Sequence, residues 1–111
     1  MRRIVILILT FSLAAVAQAQ NNSAADVANK IADRMRDSLR LSKKQRSQIF
    51  AINMQLVNQK KAAMKQFQNR DSISRRLQRI ENSRDSLYRK RLTGEQFQRY
   101  RERKSILVNN N

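Results

Sequence analysis

The chain has 111 residues with 24 basic and 8 acidic side chains, a formal charge of +16, no histidine, no cysteine, no proline and one glycine. Without His or Cys, the usual nucleophiles and general bases are missing, and so are the imidazole and thiolate donors of zinc sites. No enzyme activity, metal or other cofactor is therefore expected. Sheets and tight turns lean on Gly and Pro, whereas Arg, Lys, Gln, Leu and Ala favour helix, so the predicted fold class is all-α.

The first segment is an export signal. Two arginines precede an apolar run from Ile4 to Ala17, and Ala17-Gln18-Ala19 places small residues three and one before a cut. The run is shorter than the roughly 20 residues a spanning helix needs, so residues 1–19 are predicted to be removed after Ala19. What remains, 20–111, is a single domain carrying 22 basic and 8 acidic residues. It is expected in the periplasm.

After a lead-in over 21–25, a first helix is expected over about 24–39, with Val27, Ile31, Met35 and Leu39 on one stripe. A second is expected over about 42–69. Its apolar positions fall in two adjacent stripes, Ile49, Ile52, Leu56, Ala63 and Phe67 beside Phe50, Met54, Val57 and Met64, which make a wide face. A third, over about 73–91, places Ile73, Leu77, Ile80 and Leu87 at heptad spacing, and a fourth, over about 93–108, carries Phe97, Tyr100 and Leu107. The polar stretch 68–72 offers Asp71 or Ser72 as a cap. The heptad register nevertheless runs on through it, so one continuous helix over 42–91 is the alternative. Met35, Met54 and Met64 lie on apolar stripes and read as core rather than as soft-metal ligands. Asp33 and Asp37, flanked by Arg34, Arg36 and Arg40, read as ion pairs along a solvated helix rather than as a catalytic pair.

One phrase is written twice. Arg36-Asp37-Ser38-Leu39 recurs as Arg84-Asp85-Ser86-Leu87, and each copy is followed by Leu, a hydroxyl residue, two variable positions and Gln: Leu41, Ser42, Gln45 and Leu92, Thr93, Gln96. A hydroxyl followed three residues later by Gln is a capping box, worth about 1 kcal/mol for each cap. The Leu before each cap should staple onto the fourth helical residue, which is Phe97 in the second copy. In the first copy it is Arg46, which offers only its aliphatic stem. The phrase is thus read as helix-starting grammar rather than as a ligand site, and its duplication suggests two helix–loop–helix units.

Two L-[ST]-x-x-Q motifs in a small, basic, helical, exported chain resemble the LTXXQ-motif Spy/CpxP family of periplasmic chaperones and envelope-stress proteins. The resemblance covers about 35–107, and only the six motif residues carry over. It implies four helices pairing into an elongated, curved antiparallel homodimer, whose basic and apolar concave face holds unfolded or partly folded envelope proteins without ATP. Docking on an envelope sensor is the alternative that the same family implies.

The charge supports a binding role independently. A surface made only for solubility mixes both signs, whereas this excess costs self-repulsion and attracts anionic partners. Long Lys and Arg stems can also cover apolar surface while keeping their charges wet. Lys43, Lys44, Lys60, Lys61, Lys65, Arg75, Arg76 and Arg79, clustered on the central helices, are the predicted client-binding residues. A cationic binder of lipopolysaccharide or lipid is a further alternative. Export argues against nucleic acid as a partner. A chain this small without disulfides or metal buries little core, so self-association is expected.

Overall fold

The computed structural model describes residues 24–108. The predicted signal segment, its cleavage position and the terminal 109–111 lie outside them. Four helices and no strand occur among the described residues: α1 (24–39), α2 (Lys43–Gln66), α3 (Arg70–Arg89) and α4 (Gly94–Val108). The molecule measures 64 × 38 × 21 Å. A helix with its side chains is about 10–12 Å across, so the thin dimension is only two helices deep.

The two longest described helices, α2 with 24 residues and α3 with 20, form a hairpin. Its break falls at 67–69, which decides between two helices and one continuous helix. No Gly or Pro makes it. Phe67 leaves the helix in an extended conformation, and the Asn69 side chain accepts the Asp71 N–H at 2.8 Å. That cap starts α3 at Arg70, earlier than the Asp71 or Ser72 cap expected from sequence. Asn caps as well as Asp or Ser, and the Asp71 carboxylate is then free to sit in the first turn, where the helix dipole favours it.

α1 folds back on the first half of α2. Its buried face is Ala24, Ala28, Ile31, Ala32, Met35 and Leu39. Val27, placed on the stripe from sequence, is 46 % exposed. The alanines explain the shift. They present almost no side chain, so the helix can turn that edge inward and approach α2 closely, leaving Val27 outside. Helix α1 ends in a Schellman-type turn. Arg40 adopts φ 56°, and the Leu41 N–H reaches back to the Arg36 carbonyl at 3.2 Å. Gly usually fills such a left-handed position because Cβ costs energy there. Here burial of Leu41 just beyond it offsets the strain.

The core is one cluster running from Ile31, Met35 and Leu39 through Ile49, Leu56 and Ile80 to Tyr88, Tyr100 and Leu107. Met35 belongs to it, but Met64 is 63 % exposed, contrary to its expected core position. Ala28, which meets Asn53, and Asp33, which meets Arg46, show α1 running antiparallel to α2. The described part of α1 begins too late to reach the far end of α2. Among the described helices, α3 is then the neighbour of α2 beyond about Leu56, and Met64 of the second stripe is left outside.

The stripe of α3 that faces the core is Ile80, Arg84 and Tyr88, four residues apart. An arginine buried to 3 % exposure was not expected from the heptad pattern. Its guanidinium donates to both carboxylate oxygens of Glu81, at 2.7 and 3.4 Å, and to the Tyr88 hydroxyl at 2.8 Å. Tyr88 donates to the side-chain carbonyl of Asn53, which also receives Arg84 at 3.4 Å. Asn53 in turn donates to the Ala28 carbonyl at 3.1 Å, and Lys60 reaches Glu81 at 2.7 Å. Among the described residues no buried side-chain polar atom lacks a partner. This chain of bonds links α1, α2 and α3 and fixes their register, since a one-turn slip would leave the buried Asn53 carbonyl and Tyr88 hydroxyl without their partners, at a cost of about 1–3 kcal/mol.

The network predicts a pH response. Burial pushes the Tyr88 phenol up to about 12, despite the opposing pull of Arg84. Burial, reinforced by a bond to the Asp85 carboxylate, drives Tyr100 higher still. A raised folded-state pKa contributes stability that is complete below the unfolded value and lost as pH rises through the folded one. These are the only tyrosines in the chain. Phenolate absorbance should therefore be absent from the folded protein near the ordinary pKa of 10.0. It should emerge together with loss of helical circular dichroism as pH approaches about 12. Titration of either tyrosine with an ordinary pKa in the folded protein would contradict the burial described.

Candidate functional site

The duplicated motif forms two capping boxes. Ser42 Oγ accepts the Gln45 N–H at 3.1 Å, and Gln45 Oε1 accepts the Ser42 N–H at 3.0 Å. Thr93 and Gln96 repeat the pair at 3.1 and 3.0 Å. Leu41 is buried, and Leu92 and Phe97 pack against the core as half-buried side chains. Arg46 is not a staple partner. Its guanidinium donates to Asp33 at 2.8 Å and to Asn29 at 3.1 Å, which ties α2 to α1.

The two boxes also meet. Gln45 Nε2 donates to Gln96 Oε1 at 2.7 Å, and Gln96 Nε2 donates back to Gln45 Oε1 at 3.2 Å. Each amide nitrogen spends its second hydrogen on the other motif's loop: Gln45 on the Arg91 carbonyl at 3.1 Å, Gln96 on the Leu39 carbonyl at 3.3 Å. An amide has two donors and two acceptor positions, and all eight are used here. The motif is therefore a clasp between the α1–α2 and α3–α4 corners as well as a pair of helix starts. Sequence spacing reveals the boxes but holds no sign of the clasp, whose halves are 51 residues apart.

The eight predicted client-binding residues do not form one patch. Lys43 and Lys44 lie at the clasp end of α2, whereas Lys61 and Lys65 lie toward the hairpin tip, roughly 25 Å away at 1.5 Å per residue. Lys60 is held by Glu81 and belongs to the polar network. Burial disfavours ionisation of Glu81, but its bonds to Arg84 and Lys60 prevail and hold the carboxyl below its ordinary value. Arg75, Arg76 and Arg79 do converge. With Phe67 and Ser72 they line a cavity of about 220 Å³ near the tip.

Two wider grooves were not foreseen. One, of about 590 Å³, runs beside Phe97 between Arg89 and Arg101, with the Arg89 guanidinium 5.5 Å from the Phe97 ring centre. The other, of about 450 Å³, lies between α1 and α4, where Ile106, 67 % exposed, and Leu107 sit between Arg34 and Arg103. Both combine an apolar floor with arginine rims. Such grooves could not be read from spacing because α1 and α4 are joined only through the tertiary fold. Asp33 and Asp37 pair with Arg36 and, for Asp33, with Arg46, as ion-paired surface carboxylates rather than a reacting pair.

The clasp makes a quantitative prediction. Replacing Gln45 or Gln96 by Leu should each cost about 1–3 kcal/mol in urea unfolding, because carbonyls and amide groups lose partners. The double variant should cost less than the sum by at least about 0.5 kcal/mol. Strictly additive losses would mean that the two amides act only as separate caps.

Comparison of the chain with protein-family models, with curated proteins and with solved structures found no match in any of the three. The resemblance to the LTXXQ-motif family thus rests on the sequence alone.

Proposed function

We propose that the protein is an exported, ATP-independent chaperone of the periplasm that holds unfolded or partly folded proteins as a homodimer. The observation that carries this reading is the pairing of apolar surface with cations. Phe97 between Arg89 and Arg101, and Ile106 and Leu107 between Arg34 and Arg103, each offer a shallow apolar floor with guanidinium rims. A non-native chain presents both greasy and acidic segments, and these grooves have a surface for each. Open grooves with charged rims favour fast encounter, which suits a protein that must exchange its clients unaided. Self-association belongs to the same reading, because Val27, Met64 and Ile106 leave apolar area uncovered in a molecule two helices deep.

The decisive assay follows aggregation of two unrelated, chemically denatured proteins without ATP, beside a control protein of equal basic charge. Suppression of both at near-stoichiometric ratio, beyond the control and weakened but not abolished by salt, is expected. Phe97→Ser and Ile106→Ser together should reduce it several-fold. Suppression matched by the control, or saturable binding of one envelope protein alone, would replace this reading with that of a sensor-docking regulator. Export has its own check. N-terminal sequencing of the protein recovered from the periplasm should begin at Gln20, and retention of residues 1–19 would refute cleavage.

A further inference from the structure

Charge is divided along the molecule. At the clasp end, Asp33, Asp37, Asp85 and Glu95 each engage a lysine or arginine. From residue 61 to residue 79, around the hairpin tip, there are six basic residues and a single acid, Asp71. None of these six cations has an ion-pair partner among the described residues. Three of them, Arg75, Arg76 and Arg79, converge with the Ser72 hydroxyl on the 220 Å³ cavity beside Phe67. Exposed Met64 lies on the neighbouring turn of α2.

We propose that this tip docks on membrane surfaces of anionic phospholipid, with a lipid phosphate held by Arg75, Arg76 and Arg79 and Met64 entering the headgroup boundary. The cavity equals the liquid volume of about seven waters, which admits a phosphate group. Arginine forks suit phosphate oxygens, and an anionic lipid surface presents many phosphates side by side, so three neighbouring arginines can each find a partner there. The tip is also the turn of the α2–α3 hairpin, at the end of α2 away from the clasp. On α2, exposed Met64 lies between Lys61 and Lys65, and this pairing is what an interfacial anchor requires: charge for the headgroups and a hydrophobe for the layer beneath. This inference does not rest on the chaperone reading.

Flotation of the purified protein with phosphatidylcholine vesicles, with and without one-third phosphatidylglycerol, tests it at about 0.1 M salt, where the Debye length is about 10 Å. Binding should require the anionic lipid. The triple variant R75Q/R76Q/R79Q should lose roughly a hundredfold in partition, since each basic residue at an anionic surface contributes about fivefold. The charge-matched triple K43Q/K44Q/R91Q, at the clasp end, should lose less than about threefold. All variants share one N-terminus, so their differences report the tip, and circular dichroism verifies equal helix content. M64S should weaken vesicle binding without altering binding of inorganic pyrophosphate, and it decides the question alone if the triple variant unfolds. Equal losses in both triples would overturn the proposal, as would pyrophosphate binding without vesicle binding. So would a tip effect confined to polyglutamate, the mark of an acidic-peptide surface.

Discussion

Two glutamine side chains hold the corners of this protein together. Each amide closes its own capping box, bonds its counterpart and secures the loop carbonyl that precedes the other helix. Glutamine is suited to this because its carbonyl and its amine lie at one end of a flexible stem, so one residue can accept and donate twice in opposite directions. Asparagine is one methylene shorter, and glutamate could not donate. The corners so joined set the paths of α1 and α4, and hence the groove between those two helices and the one between α4 and the end of α3.

A core two helices deep cannot rely on apolar burial alone, and the Asn53–Arg84–Tyr88 network shows what accompanies it. Its members are buried and fully bonded, so they fix alignment rather than adding transfer energy. A buried ion pair is often no more stabilising than apolar residues of the same shape, but misalignment would leave Asn53 and the Tyr88 hydroxyl buried without partners. The edge-on packing of Tyr88 against Tyr100, with ring centres 5.1 Å apart, carries the same alignment on to α4. Lys60 and Glu81 extend it toward the tip, where none of the six cations from Lys61 to Arg79 has an ion-pair partner among the described residues.

How much of this was legible depended on sequence distance. The all-α class followed from composition, and both capping boxes followed from a spacing of three residues, because the groups concerned are neighbours in any helix. The ends of α2 and α3 were less legible. Asn69, Asp71 and Ser72 can all cap, and only packing of the hairpin selects among them. Arg84 falls where α3 turns its core stripe inward, but nothing local distinguishes it from the many solvated arginines. Its burial depends on Asn53 lying opposite on α2, with Glu81 one turn back on α3 to pair its charge. Met64 failed as a core residue for a related reason: its stripe is apolar, yet no described helix reaches far enough to cover it. The grooves at Phe97 and Ile106 depend on α1, α3 and α4 meeting, and periodicity within one helix cannot report that.

The clasp also has a consequence for the order in which the chain folds. α2 and α3 are joined by three residues, so their contacts form at small cost in loop entropy. The Gln45–Gln96 bond instead closes a segment of 51 residues. Closure entropy grows with the logarithm of loop length, but here a zipped hairpin has already brought the two corners within reach. Formation of the hairpin is thus the encounter step, and the clasp is the latch that follows it. A chain released from a ribosome or a translocon in N-to-C order cannot latch until Gln96 has emerged, so α1 must wait, loosely paired with α2, for nearly the whole domain to arrive.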